Sequence, residues 1–544
     1  MNHKLHEAMN DISDRHLLEA DNYRPQRFPY WIIAAAAVLA LAISLSLGLR
    51  APNNQNQPLL DHSRPTTLYS QPSSSHTQPT TSRIPALPTQ PSTQEPLLPT
   101  FPVQPSIPNA TTPTVAEPLP TTPVNPSTFA TLAAAPTYPK TIPYPKIENY
   151  PNYSDYRAAM ETWSNFQNIQ YNQPDGYADS LANFFAASIA QFLQGEGNTA
   201  YSPLNVYMAM AMLAETTGGS SRQQILDLFG VNSIEELRTQ AGHVWNAHYC
   251  DDGRSTILMA NSLWLDHLFP YHQEAANTLA QYYYASTFHG DLGTATLNQQ
   301  LRDWLNANTG GLLKDQVGQI TLDPRTAFAL ASTVYFSAAW QEEFNEANTY
   351  NETFHTPSNN QQVPFMHQTY YACTYYRGTH FGAIHLRMDG NNRMWLILPD
   401  DGYTTEDILQ SGEYLQLTLN PSAWPNTYTY DIHLSLPKFD IVQQQDLVEG
   451  MKKLGITDIF STATADFSPL TNSREIFVDQ INHAARVIID EEGCTAAAFT
   501  VIPAPGAGMP EKRDELYFQL NRPFLFIVSS RDNLPLFAGI VKEL

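Results

Sequence analysis

Ser202 and His483, far apart in the chain, are the residues whose types would suit acyl transfer, with the hydroxyl as nucleophile and the imidazole as its base. That chemistry also needs a third residue to orient the histidine and N–H donors for the oxyanion, and neither is evident in the sequence. The nucleophile elbow G-x-S-x-G, the zinc-protease pattern H-E-x-x-H and the phosphate loop G-K-[ST] do not occur. Gly195-Glu-Gly197-Asn-Thr-Ala200 matches a loose dinucleotide fingerprint, but it follows a helical pattern where that loop must follow a strand. Three cysteines, Cys250, Cys373 and Cys494, are too few and too widely spaced for a disulfide framework, and no C-x-x-C pair could hold zinc. The residues therefore imply no enzyme, no metal and no cofactor.

The informative stretch is Asp490-Glu-Glu-Gly-Cys-Thr-Ala-Ala-Ala498, which follows the alternating segment Val478–Ile489 and precedes a run rich in Gly, Pro and Ala. Residues this small leave little to pack, yet Gly493 to Ala498 can take an extended backbone and pass between two existing strands without side-chain clashes. That is the composition of a mobile loop.

The elements that must hold such a loop are legible from periodicity. Leu181, Phe184, Phe185, Ile189, Phe192 and Leu193 predict an amphipathic helix over 177–193, and a second helix is predicted over Asn205–Glu215. Strands are predicted at Ile257–Leu265, Trp395–Leu398, Ile432–Leu436, Phe524–Val528 and Leu536–Val541. Helices and strands interleave irregularly, which argues for an α+β fold.

Charge and composition divide the chain. The net charge is −23, and residues 1–150 carry nine basic and nine acidic side chains, so the whole deficit lies beyond them. A domain this acidic repels phosphate backbones, and nucleic-acid binding is excluded. Phe28–Leu49 is twenty-two residues without a charge, with Arg24 and Arg27 at its amino end, and reads as an uncleaved transmembrane signal-anchor whose amino terminus lies inside. Residues 51–145 contain twenty-two prolines among Thr, Ser, Gln and Asn, the composition of a disordered spacer. The expected organisation is a tail over 1–27, the anchor over 28–49, a Pro/Thr/Ser-rich disordered linker over 50–150 and one large domain over 151–544.

Over residues 175–544 the sequence resembles the serpin family, on an ordered series of motifs. These are Tyr201-Ser-Pro-Leu-Asn205 and the Thr-Gly-Gly-Ser stretch at 217–220, then Leu301–Leu313 with Trp304 and Thr309-Gly-Gly311. Next come Ala327–Phe344 with Tyr335, Phe336 and Trp340, then Phe354 and Val363-Pro-Phe-Met366, followed by Met394–Asp401 and Ile432–Phe439. The hinge Glu491–Ala498 and the terminal Asn521-Arg-Pro-Phe524 and Pro535-Leu-Phe-Ala-Gly539 complete the series.

The resemblance implies three β-sheets, about eight or nine helices and an exposed reactive centre loop. It implies suicide inhibition of serine, or alternatively cysteine, proteases: the loop is cleaved as a substrate and then inserts into the central sheet. The alternative within the family is a non-inhibitory member serving as a ligand- or partner-binding surface protein. The hinge would comprise Glu491, Glu492, Gly493, Cys494, Thr495, Ala496, Ala497 and Ala498. Cys494, Ala496, Ala498 and Thr500 would point inward after insertion, and Cys494 stands where the family usually has threonine or serine. Pro503 and Pro505 lack the N–H of a central strand, which predicts insertion that ends early and some substrate-like turnover. Counting from the hinge puts the scissile bond at Ala507–Gly508, with Met509 as the rival and Lys512 or Arg513 behind it. Small residues there fit an elastase-like or subtilisin-like protease. Ser202, Asn205, Ser332 and His483 match the cluster beneath the sheet opening, with Ser332 replacing a usual asparagine, and Trp340 matches the tryptophan beneath the loop's entry. The expected protein is a monomer, membrane-anchored with this domain outside the cytoplasm, or secreted if the anchor is cleaved.

Overall fold

The computed structural model of the protein describes residues 132–138, 141–318, 320–356, 359–494 and 513–544. The run Phe28–Leu49, the proline-rich segment as far as residue 131, and Thr495 to Lys512 lie outside the described residues. No helix among the described residues is long and apolar enough to cross a membrane.

The described residues form seventeen strands. In chain order they are β1 Leu132–Ala134, β2 Thr199–Tyr201, β3 Cys250–Asp251, β4 Ser255–Asp266, β5 Ala285–Gly290 and β6 Phe328–Ala339. There follow β7 Thr349–His355, β8 Asn360–Arg377, β9 Phe381–Arg387, β10 Arg393–Pro399, β11 Thr427–Pro437 and β12 Phe439–Asp446. The last are β13 Asn482–Ile489, β14 Gly493–Cys494, β15 Glu515–Gln519, β16 Phe524–Ser529 and β17 Pro535–Val541. One sheet runs β1-β5-β4-β6-β14-β13-β12, with β3 on β4, and the other runs β15-β11-β8-β9-β10-β16-β17-β2, with β7 on β8. The three sheets expected from the resemblance are thus drawn together as two ladders. β8 turns tightly into β9, and the pairs Tyr376 with Ala383 and Arg377 with Gly382 join two otherwise separate layers.

Eleven α-helices form among the described residues, more than the eight or nine expected. The surplus includes Tyr153–Tyr171 and two short helices, Lys314–Val317 and Val448–Lys453. The predicted amphipathic helix forms at Leu181–Phe192, with its apolar stripe fully buried. The next, Pro203–Thr216, starts where Ser202 accepts a hydrogen bond from the Asn205 N–H and Pro203 occupies the first turn, which needs no N–H donor there. It packs beneath β6 and β17 and is buried on almost every side. The predicted strands are found as β4, β10, β11, β16 and β17, each extended by one or more residues at its ends.

Described residues ahead of residue 150 also pack on the body. Leu132–Ala134 pairs antiparallel with β5 at the edge of the large sheet, and Tyr138 packs against the core among Trp245, Tyr249 and Tyr284. Proline content masked this segment, in which Tyr138 and Tyr144 supply aromatic surface that packs on the body.

Candidate functional site

The hinge leaves β13 through a tight turn whose bonds are made by the backbone and one aspartate. Asp490 Oδ1 accepts from the N–H groups of Glu492, at 3.0 Å, and Gly493, at 3.2 Å. The chain then re-enters the sheet as β14, antiparallel to both neighbours, with Gly493 opposite Ala339, Cys494 opposite Ala338 and, on the other side, Cys494 opposite Ile489. The predicted hinge residues Gly493 and Cys494 are therefore already a central strand, and both are buried. Cys494 is 3% exposed, and burial pushes its thiol well above the usual range.

Two side chains clamp the turn. Trp340, at the end of β6, donates from its indole N–H to the Asp490 carbonyl at 2.9 Å, and its backbone N–H donates to the Glu492 carbonyl at 2.9 Å. Trp340 is thus bonded to the hinge turn through both its side chain and its main chain. Glu491 turns back into the molecule and accepts from Lys438 Nζ at 2.5 Å and from the Thr349 hydroxyl at 2.8 Å. Burial alone would raise its pKa, but these two donors hold the carboxyl below its ordinary value. Glu492 goes the other way: burial, then the carboxylates of Asp490, Glu343, Glu346 and Glu491, push it up. Sequence reasoning missed Lys438 and Thr349, because neither lies near the hinge in the chain and a lone lysine after a strand carries no signal.

Beyond Cys494 the two strands flanking the hinge have no other described strand between them. Among the described residues β6 and β13 are joined only through β14, and along Phe328–Ser337 and Asn482–Ile488 no described strand pairs with the edges that flank β14. A polar chain links these two strands. His483, on β13, accepts at Nε2 from the Ser202 N–H at 3.1 Å. Ser202 donates its hydroxyl proton to the Leu536 carbonyl at 2.7 Å and accepts from the Asn205 N–H at 3.4 Å. The Asn205 amide then donates to the Ser332 hydroxyl, on β6, at 3.2 Å.

The four residues grouped by sequence are thus brought together as one path from β13 to β6. Ser332, shorter than the usual asparagine, still closes the path because Asn205 reaches across to it. Ser202 gives its proton to a main-chain carbonyl and not to His483, so the pair is not arranged as nucleophile and base. His483 is buried and neutral, its pKa lowered to about 4 by desolvation, and its Nδ1 has no hydrogen-bond partner among the described residues. No group of His, Cys, Asp and Glu among the described residues is placed to hold a metal ion. Thr495, Ala496, Ala497, Ala498, Ala507, Gly508 and Met509 lie outside the described residues.

Comparison with known proteins agrees with this architecture. A sequence model described as "Serpin (serine protease inhibitor)" matches residues 180–544. Plasminogen activator inhibitor 1 of Bos taurus is 27% identical over 391 residues, covering 68% of this chain and 94% of that protein. Human leukocyte elastase inhibitor is 28% identical over 343 residues, 61% of this chain and 89% of its own length. Among solved structures, the thermophilic serpin tengpin in its native state superposes with a TM-score of 0.61 at 24% identity, covering 69% of this chain and 95% of that one, a likeness of fold. With the family model spanning most of the chain and a glycine hinge seated as a short strand between β6 and β13 of the large sheet, the chain belongs to the serpin family of serine protease inhibitors.

Proposed function

We propose that this serpin is a suicide inhibitor of serine proteases that acts by cleavage of the loop after Cys494 and insertion of that loop between β6 and β13. One observation carries the reading: Gly493 pairs with β6 and Cys494 with both β6 and β13, while the strands they separate have no other described strand between them. A strand rises about 3.3 Å per residue, so inserting roughly fourteen residues would carry a tethered protease on the order of 45 Å along the sheet. Displacement on that scale would press it against the inhibitor's far end and distort its active site.

The two registers also bear on Pro503 and Pro505. Continued past Cys494, they would set Val501 opposite Asn482, the last residue of β13 to be passed, and Ala504 opposite Phe328, the first residue of β6. Pro503 would then fall beyond β13, and Pro505 beyond both strands, where an absent N–H breaks no central pairing. Early termination is therefore not required by these prolines.

The target is proposed to be elastase-like or subtilisin-like, cleaving at Ala507–Gly508, and one of the relatives above is itself named a leukocyte elastase inhibitor. Phe28–Leu49 is proposed as the anchor that holds a monomeric inhibitor outside the cytoplasm, with release into the medium if it is cut. Incubating the full chain with an elastase, a subtilisin and a trypsin, followed by denaturing electrophoresis and peptide mapping, tests the reading. A detergent-resistant adduct with one of the first two and a new amino terminus at Gly508 are expected. Clean cleavage by all three with no adduct would overturn inhibition and leave the non-inhibitory, partner-binding alternative.

A further inference from the structure

After Thr495 to Lys512, the described chain resumes at Arg513 and leads at once into β15. Asp431 of β11 receives it: its carboxylate lies 3.8 Å from the Arg513 guanidinium, and its N–H donates to the Asp514 carbonyl at 3.0 Å. Asp431 Oδ1 also accepts from the Ala372 N–H of β8 at 3.0 Å. Ala372 has a φ of 53°, a left-handed backbone uncommon outside glycine, and it marks a bulge where the β8–β11 register slips between Tyr430 and Ile432. Tyr371, at this bulge, is 74% exposed. One residue pair farther along, parallel pairing sets Tyr517 of β15 opposite His433. The Tyr517 ring stacks on that imidazole with centroids 4.7 Å apart and is still 66% exposed, while the Thr369 hydroxyl of β8 lies 3.0 Å from His433 Nδ1.

Alternate residues of a strand share a face, so Tyr371, Asp431, His433, Glu515 and Tyr517 lie on one side of the β8-β11-β15 sheet. Two strand spacings and one residue pair separate the two tyrosines, about 12 Å between their Cα atoms. A single exposed tyrosine is ordinary; here two share a face, one set by a bulge and the other by stacking, where the chain leaves the loop. The loop's length limits what comes to lie there. From Gly508 to Glu515 the chain makes seven Cα steps, at most about 25 Å. A protease domain of about 200 residues has a radius of gyration of about 16 Å, so one closed on Ala507–Gly508 brings its body within reach of this face. Charge favours the same occupant. Asp514 and Glu515 are exposed on a strongly acidic domain, and lysine or arginine at the rim of a protease's active site would meet opposite charge and tyrosine rings to stack on.

We infer that Tyr371 and Tyr517 form a second docking site for the protease that cleaves the loop, favouring proteases with a basic active-site rim. The inference rests on cleavage of the loop as proposed above. It adds a determinant of target choice that lies outside the cleaved bond.

The test uses the full chain, whichever of the elastase, subtilisin and trypsin cleaves it fastest, and four variants. These are Tyr371→Ala, Tyr517→Ala, Glu515→Gln and, as a control, Tyr153→Ala, a tyrosine 67% exposed in the helix Tyr153–Tyr171. The second-order rate constant for loop cleavage, counting adduct and cleaved product together, is measured at low and high salt. Tyr371→Ala and Tyr517→Ala should each lower it about ten-fold, Glu515→Gln about three-fold at low salt only, and Tyr153→Ala not at all. The ratio of adduct to cleaved product should stay at the wild-type value, because docking precedes the cut. Rate constants equal to wild type in both tyrosine variants would overturn the docking site. Cleavage without adduct in every protein would instead overturn the inhibitory reading, and the rate constants then decide the docking site alone: a ten-fold loss supports it, no loss overturns it. A chain cleaved by none of the three proteases overturns both. Should one tyrosine variant fail to fold, wild-type rates in the other and in Glu515→Gln overturn the proposal.

Discussion

Gly493 passes so close to Ala338 that a side chain there has no room. A Cβ added to Gly493 would lie 2.8 Å from Ala339 Cα and nearer still to the Ala338 carbonyl oxygen, and both are main-chain atoms that cannot rotate aside. The hinge can therefore sit between β6 and β13 only with glycine at this position. Gly493→Ala is expected to expel β14 from between β6 and β13 at a cost of about 1–3 kcal/mol, the usual penalty of overpacking a rigid site. Because the hinge begins insertion, the variant should divert most encounters to simple cleavage. The measurement is the ratio of adduct to cleaved inhibitor on a gel, which should fall several-fold. An unchanged ratio would show that seating of Gly493 does not start insertion.

Lys438 and Glu491 fix the turn from the opposite side. Lys438→Met removes the cation that compensates a carboxylate only 8% exposed, leaving Thr349 as its remaining side-chain donor. Lys438 itself is partly open to solvent, so screening reduces the effect, and a loss of about 1–2 kcal/mol is expected. Denaturant titration of Lys438→Met, Glu491→Gln and the double variant checks this. The double variant should be more stable than the sum of the single losses predicts, because it leaves no unpaired carboxylate. Strict additivity would mean that the pair contributes nothing.

Local patterning made much of this molecule readable before its structure. β16 and β17 are continuous apolar runs, the stripe of Leu181–Phe192 has helical spacing, and Gly493 to Ala498 has the small side chains of an inserting strand. What stayed hidden depends on distant parts of the chain. Tyr138 looks like linker until Trp245 and Tyr249 are seen against it. The helix Tyr153–Tyr171 buries only Gln167 completely, so it carries no apolar stripe to betray it. The Lys438–Glu491 pair and the link from Asn205 to Ser332 join residues that no local period relates. Ser202 and His483 were legible as a buried pair, but the direction of their bonds, main-chain N–H to imidazole, was not.

The thiols should be sorted by burial. Cys250 and Cys494 are buried, with burial pushing Cys250 up to about 12, whereas Cys373 is half-buried and raised to about 11. Thiolate is the reactive form, so all three are slow at neutral pH. In native protein at pH 8 a thiol reagent should label Cys373 alone, and slowly, while Cys250 and Cys494 become accessible only in denaturant. Cys494→Ser should leave any response to oxidant unchanged. Recovery of a mixed disulfide at Cys494 from native protein, with loss of adduct formation that a reductant reverses, would reassign this residue as a redox control of insertion.

His483 gives the fold a defined acid limit. In the native state burial holds its pKa at about 4, whereas an unfolded chain binds the proton near 6.5. Between these values the unfolded state carries more protons, so stability falls as the pH drops from about 6.5 toward 4, by on the order of 3 kcal/mol for this residue. His385, also buried and lowered to about 4 by burial and then by Arg393 and Arg387, adds a decline of the same sign. Melting temperatures of wild type and His483→Gln across pH 4 to 8 separate the two. The glutamine can still accept from the Ser202 N–H but cannot take up a proton, so its curve should be shallower below pH 6.5 and parallel to wild type above it. Superimposable curves would mean that His483 takes up its proton at the same pH in the folded and unfolded chains and sets no acid limit.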